Sequence, residues 1–448
     1  MSKHYVNRKK GAAIITAVIF FVVISVTMAV GLSSPVVREY VTARDFEKSK
    51  GAYYLSEAGM EDAVYRLRKP RAIDAQEVIS LGGNTATTTI TTVSATQKTI
   101  SSLGDIFRNT RRVKSTITTT TGESFVYGVW AGQGGVRMNG NLINSYISGN
   151  LYSIGPICGG GSSGATCTGG SGASLITGTV ISGGTSGLNG TIGRIQNQGD
   201  ASMYAGTIKS STISGVAYCN TISGSSTSTC QTLPVQPPVE LPITRGDIEN
   251  WEAISTAGGS VTCTGGKYYI NGTISIGPKK IPCDLETSGS NYTITLTGPI
   301  WVEGDIKINN NQSWRVDPSL VGQSIMVIAD KQTASTTAGT IEIENNPVFS
   351  GAPGGNSWVM LLSENTGASI GADAEAIWLE NNVSGALLLY ARLGDVKLQN
   401  NSNINEVTAY QITLENNAVV NYLSGLQNTL FTSGPGGAWY VQGWKEGQ

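Results

Sequence analysis

Few residues in this chain could do chemistry, and their types narrow the possibilities at once. Histidine occurs once, as His4, inside a short basic N-terminal stretch. If that stretch is removed, no imidazole remains for a nucleophilic triad, a histidine zinc site or a histidine general base. The groups that could serve a carboxylate-based hydrolase are thinly spread: Asp305, Asp317, Glu342, Glu344, Asp373, Glu375, Arg392 and Asp395. Asp373 and Glu375 lie close in GADAEA, which reads as a solvated turn. The expectation is a protein that is not an enzyme, needs no cofactor and holds no metal.

Cysteine offers the other chemistry. The six cysteines, Cys158, Cys167, Cys219, Cys230, Cys263 and Cys283, all lie well downstream of the N-terminus. Their order suggests three local disulfides, Cys158–Cys167, Cys219–Cys230 and Cys263–Cys283; unpaired buried thiols are the alternative. No pair has the CxxC spacing of a zinc or redox site. Oxidised pairs require an extracytoplasmic compartment.

The elements that would position these residues follow from composition and pattern. The length of 448 residues allows two or three domains. A net charge of −1 favours neither nucleic acid nor an acidic partner. Charged residues make up 14% of the chain, and there are 57 glycines. With abundant Ser and Thr, this is a β-rich composition and not that of a charged disordered chain.

Residues 12–32, AAIITAVIFFVVISVTMAVGL, form an uncharged apolar run. About 20 such residues span a bilayer core. Lys3, Arg8, Lys9 and Lys10 precede the run and the first acid is Glu39, which places the N-terminus on the cytoplasmic side. Three readings compete. A cleaved signal peptide has a shorter apolar core and a small-residue cleavage site, and SSPVVREY supplies a poor one. A plain signal anchor fits the hydropathy. The third reading uses Val37, Tyr40, Val41, Tyr54, Leu55, Ala58, Val64 and Leu67, which recur in steps of three and four as one helical face. The helix would then run from Ala12 to Lys69, kink at Pro35 and stop at Pro70.

Taken together, the leader ending in KKG, the apolar run, Pro35 and the segment YYLSEAGMEDAVYRL resemble the N-terminus of type IV pilin-like proteins. Ser56, Glu57, Ala58, Gly59, Met60, Glu61 and Ala63 are similar to the stalk pattern of PilX-like minor pilins. The resemblance implies cleavage by a prepilin peptidase between Gly11 and Ala12, methylation of the new N-terminus and partnership with other pilin subunits. Two positions depart from it. Major pilins begin with Phe, whereas this chain would begin with Ala12. They also carry a glutamate as the fifth residue after the cut, where it attracts a neighbour's N-terminal amine; Thr16 stands there instead. That points to a minor subunit and away from the repeating one.

The exterior reads as β. Residues 70–127 look like a small β unit, with alternation in TATTTITTVSATQKTISS and VKSTITTTTGESFVYG and a bend at LGDIFRNTRR. Residues 128–233 are Gly/Ser-rich, with Ile-Ser-Gly at Ile147, Ile181, Ile213 and Ile222, and read as solenoid-like. Residues 234–252 form a Pro-rich linker and 253–448 a further domain. There an Asn pair closes each of DIKINN, IEIENN, IWLENN, VKLQNN and ITLENN, placing Asn309, Asn345, Asn381, Asn400 and Asn416 in equivalent positions. With SIMVIAD and WVMLLSEN filling the longer gaps, the expected repeat is one coil per 16–19 residues. Stacked Asn would form a turn ladder, with a ligand or calcium edge as the alternative. Trp439 and Trp444 with Phe431 are expected to cap the last rung.

The fold class expected is α+β: a long N-terminal helix, then a mainly β exterior with a right-handed parallel β-helix. The expected function is a minor pilin-like subunit at or near a filament tip, presenting its head to a surface polymer or cell. The expected location is one membrane span, then an extracellular pilus or the cell surface. A membrane-anchored surface protein outside any filament, and a polysaccharide-active enzyme, are the alternatives.

Overall fold

The computed structural model describes residues 8–68, 73–94, 97–119, 125–139, 145–184, 189–234, 241–331, 333–372, 375–431 and 439–447. The protein is α+β, with one long N-terminal helix and a mostly β remainder. It divides into two compact units, residues 1–118 with 439–448, and residues 119–438.

The first unit is built on helix α1, Arg8–Arg68, which runs unbroken through Pro35. The proline has no N–H, so the carbonyl of Gly31 loses its helical donor. From Ala13 to Leu32 the described side chains are exposed, apart from the half-buried Ile24. The last turns differ. Ala52, Leu55, Ser56, Met60, Ala63 and Val64 are buried, in the steps of three and four that mark one face. Tyr54, expected on that face, is 55% exposed. Beneath the face lies a sheet in the order Gln76–Leu81, Asn84–Ser94, Gln97–Ile106, Asn109–Thr119 and Trp439–Gly447. The first four strands are antiparallel. Two tight hairpins join them, at Gly82–Gly83 and Phe107–Arg108, all four residues having positive φ.

The C-terminal segment therefore completes this sheet and does not cap the last rung of the other unit. Arg111 pairs with Glu446 at 2.7 Å across the join, and the Ser115 hydroxyl donates to the Gly443 carbonyl at 3.0 Å. Phe431 alone of the three expected cap aromatics packs in the larger unit, edge-on to Phe125 and Trp251.

Helix and sheet approach closely because each presents a glycine where the other presses on it. A Cβ on Gly59 would stand 2.5 Å from Ser102 Oγ and 2.7 Å from Thr88 Oγ1. Those two hydroxyls hydrogen-bond beneath it at 3.0 Å. A Cβ on Gly104 would stand 2.1 Å from the Ala52 carbonyl oxygen.

The second unit is a coil of parallel rungs. A turn such as Ile341–Glu375 carries strands on successive faces: Ile341–Ile343, Val348–Ser350 and Val359–Ser363. Each strand pairs in parallel with its counterpart one turn on. One inward column shows the consequence. Leu285, Ile306, Ile341, Ile377, Val396 and Ile412 stack in register. Ile412 stacks next on Val136, and the column continues through Ile157, Ile192, Ile208 and Ile222. The spatial order of the coil is thus not its chain order. Residues 129–223 wind outward from the middle, and residues 267–421 begin at the far end and wind back to meet them. The meeting strands are Glu406–Glu415 and Val129–Asn139.

The expected repeat of 16–19 residues holds only in part. Ile306 pairs directly with Ile341, and Ile341 with Ile377, so the 35- and 36-residue intervals are single turns. The strands Gln323–Ala329 and Val359–Ser363 are further faces of those turns, not separate coils.

One substitution tests the helix–sheet contact. Gly104→Ala presses a methyl onto backbone that cannot rotate away, and overpacking of this kind costs about 1–3 kcal/mol. Amide exchange should accelerate in Asn84–Thr119 while the rungs of the larger unit keep their protection.

Candidate functional site

Three features concentrate the polar chemistry of the larger unit: an asparagine ladder, the disulfides and a buried charge cluster. The ladder sits at the corner after five successive strands of the column, those of Ile306, Ile341, Ile377, Val396 and Ile412. Asn310 and Asn311, Asn345 and Asn346, Asn381 and Asn382, Asn400 and Asn401, and Asn416 and Asn417 all have positive φ. Asparagine tolerates that left-handed turn better than other side-chain-bearing residues. Its amide then serves a second purpose. Asn345 Nδ2 donates to Asn310 Oδ1 at 3.4 Å, Asn381 to Asn345 at 3.3 Å, Asn400 to Asn381 at 3.0 Å and Asn416 to Asn400 at 3.1 Å. A parallel outer column joins Asn311, Asn346, Asn382, Asn401 and Asn417 at 2.8–3.0 Å.

Asn309, expected in the ladder, is one residue out of register. It occupies the position of Glu344 in the next turn, since Ile308 pairs with Ile343. Its backbone N–H donates to Thr287 Oγ1 at 2.7 Å, and its Oδ1 is buried without a hydrogen-bond partner. The third asparagine of Asn309–Asn311 made two alignments possible, and the outward alternation of Lys307 decides between them.

The six cysteines are joined as Cys158–Cys167, Cys219–Cys230 and Cys263–Cys283. The second holds the last rung, where Ala217–Ser223 pairs with Met203–Lys209 on one side and is bridged on the other by Gln231, next to Cys230. The third ties the approach to the opposite end onto residue 283, one before the strand Asp284–Thr287. Both therefore lie at the coil ends, where an unpaired strand edge would otherwise be open.

The charge cluster lies under helix α2, Arg245–Ala257, an element absent from the expected linker. Its signal was present in the sequence. Thr244 Oγ1 accepts from the Asp247 N–H and the Asp247 carboxylate accepts from the Thr244 N–H, a reciprocal cap. Ile248 and Trp251 then fall on one face and bury against Trp301, Ile328, Met360 and Tyr390. At the N-terminal end of α2, the Arg245 guanidinium reaches Asp330 at 2.5 Å and Glu364 at 3.0 Å. Arg392 holds the same Glu364 oxygen at 2.8 Å, and Glu252 lies 3.8 Å from Arg245. The Asp330 and Glu364 side chains are each 6% exposed.

Burial, then the neighbouring Asp330 carboxylate, push the Glu252 carboxyl up to about 9. With Glu252 protonated at neutral pH, the two buried carboxylates of Asp330 and Glu364 face two guanidiniums, as buried charge requires, and the exposed Glu249 meets Arg245 from outside at 3.1 Å. These groups clamp the helix to the coil, with the three carboxyl groups buried and the two guanidiniums partly exposed. Asp395 is also raised, to about 7, chiefly by burial. Among the other carboxylates noted in the sequence, Glu342 and Glu344 share Lys307, and Asp373 lies outside the described residues. Among the described residues, no three His, Cys, Asp or Glu side chains are placed to share a metal ion.

One buried acid has no cation. Glu406 is fully buried; one carboxyl oxygen accepts from Thr408 at 2.6 Å and the other has no partner. Burial raises its pKa well above the carboxylate range.

Two outcomes follow from this geometry. Asn382→Gly removes the amide from the ladder but keeps the left-handed turn, and should cost about 1 kcal/mol. Asn382→Ala loses the amide and also strains the turn, adding about 1–2 kcal/mol. Denaturant melts of the two variants separate the contributions. For Glu406, the unfolded chain ionises near pH 4.3 while the folded chain keeps its proton. Its effect is absent below that pH, and stability falls as pH rises toward the folded-state value, by about 1.4 kcal/mol for each pH increment of one. The Glu406→Gln variant should therefore gain on the unsubstituted protein from pH 4 to pH 8 in paired melts; a pH-independent difference would contradict the burial argument.

No protein-family model matches the chain, and no curated protein matches it. Among solved structures it is similar to the competence-associated pilin ComZ from Thermus thermophilus, at 12% identity and a TM-score of 0.34, over 89% of this chain and 97% of that one.

Proposed function

We propose that this protein is a minor pilin-like subunit of a type IV pilus or related filament, with a PilX-like N-terminus. The observation that carries the reading is the state of α1. Its last turns bury against their own sheet, whereas Ile14, Phe20, Phe21, Val30 and Leu32, which point to different sides of the helix, are 65–73% exposed. A helix apolar all round needs a bilayer or other helices about it. The basic leader orients the span with its N-terminus inside. A prepilin peptidase cutting between Gly11 and Ala12 would free the helix to leave the membrane and pack with other pilin subunits.

The body supports a special position in such a filament. Residues 119–438 form one unit, a large load to repeat along a tightly packed fibre, and Thr16 supplies no carboxylate to register a neighbour's amine. Both favour a rare subunit at or near the tip, presenting the body for adhesion to a surface polymer or cell. We read the coil as a right-handed parallel β-helix, the hand favoured in about 98% of parallel crossovers. We assign it no catalysis, since its strongest carboxylate cluster is buried under α2. The replacement of the assembly glutamate by Thr16 also favours a second reading, a membrane-anchored surface protein that never enters a filament.

N-terminal sequencing of the surface protein separates the two. A chain beginning at Ala12 and co-sedimenting with sheared filaments is expected. A chain beginning at Met1 and remaining with the membrane would rule out the filament reading.

A further inference from the structure

We infer that the larger unit carries a binding groove for a short neutral glycan, walled by Asn356, Asn403, Asn405 and Asn421. The inference rests on the adhesive reading above and gives its ligand a chemical class. The groove has a volume of about 430 Å³, within the size range of small-ligand sites. It runs along the outer face of the second sheet of the coil. There Ile404 and Val420 pair and point inward, fully buried. Their neighbours Asn403, Asn405 and Asn421 consequently point outward. The loop carrying Asn356 forms the facing wall, with Trp358 at its base and Leu423 on the rim.

These asparagines differ from those of the ladder in how their amides are used. Ladder amides bond to one another from turn to turn. In the groove, Asn405 Nδ2 donates to the Asn421 carbonyl at 3.1 Å, which fixes that largely buried side chain in the wall. Among the described residues, the side chains of Asn356, Asn403 and Asn421 have no hydrogen-bond partner within the protein, and all three are exposed. Each amide offers two donors and an acceptor close together. That is the complement of adjacent sugar hydroxyls, every one of which both donates and accepts.

The lining also excludes other ligands. It contains no Lys, Arg, Asp or Glu, so nothing in it compensates a charged ligand's desolvation. The strands beneath are paired on both sides, Ser384–Gly385 to Asn403–Ile404 and Asn403–Ile404 to Val419–Asn421. No open edge is available there for an extended peptide to join by β-pairing. An uncharged polyhydroxyl chain remains.

The test uses the full-length protein in detergent micelles and calorimetric titration with cellohexaose, chitohexaose, maltohexaose and mannohexaose, with oligogalacturonate as the anionic comparison. At least one neutral hexamer should bind at millimolar or lower concentration and oligogalacturonate should not. The Asn403→Ala/Asn421→Ala double variant should weaken that binding about tenfold or more while its thermal melt stays unchanged. The same fold-change is expected of Asn356→Gly, which removes the amide and keeps the left-handed turn at that residue. If none of the four neutral hexamers binds, or if binding survives both variants, the inference is overturned. Either failure leaves the filament reading to its own test. Conversely, a sugar-binding chain that still begins at Met1 would sink the filament and keep the groove.

Discussion

Everything in the larger unit depends on one constraint: no rung can bury its apolar residues alone. A strand of three residues such as Ile306–Ile308 or Ile341–Ile343 has two inward side chains, and these are covered only by the turns before and after. The column from Leu285 to Ile222 is the result. Its critical joint is the contact between Ile412 and Val136, where turns far apart in the chain become neighbours. Without it, each half would expose an apolar end at the middle of the coil. The chain closes that gap with a long ladder, from Val407 on Val129 to Glu415 on Asn139.

The same constraint explains where the covalent and ionic reinforcements lie. Joining the halves in the middle leaves two outer ends, and disulfides stand at both. The outer face of the strands is a different problem. Trp301, Ile328, Leu362 and Tyr390 follow one another outward on successive turns and would be wet. Helix α2 covers them with Ile248 and Trp251, and Arg245 locks its first turn through Asp330 and Glu364. The Tyr390 hydroxyl donates to the Ile243 carbonyl, binding the approach to the helix as well. Desolvation, not bulk charge, governs this site: the acids outnumber the guanidiniums, and the excess is removed by holding a proton on Glu252.

How much of this could be read from the sequence divides by range. Local devices were legible. The Asn pairs marked the corners because only a few residue types accept two successive left-handed conformations. The three cysteine pairs were legible as neighbours in order. Gly59 stood in the stalk pattern before its contact with Ser102 and Thr88 gave it a reason. Long-range order was not legible. The apolar alternation around Ile412 says that a neighbour is needed, and nothing in it specifies residue 136. The strand Trp439–Gly447 reads as a terminal aromatic tail because its sheet partners precede it by more than three hundred positions. Asn309 shows a smaller failure of the same kind: three consecutive asparagines leave the register open by one, and only pairing across turns settles it.

What remains after these demands are met is a short list of groups that the fold itself does not use. Most of the few charges are spent in pairs, including Lys307 with Glu342 and Glu344, Lys267 with Glu286 and Lys280 with Glu303. Most inward apolar side chains are covered. The exceptions are therefore informative. The apolar turns of α1 before Ser33 stay almost wholly exposed, which is costly in water unless lipid or other helices take them up. The amides lining the groove beside Asn405 contribute nothing to the ladder that consumes their counterparts one corner away. On the readings proposed above, something outside the chain completes both surfaces. In the first the missing complement is apolar and extended, and in the second it is neutral and rich in hydrogen bonds.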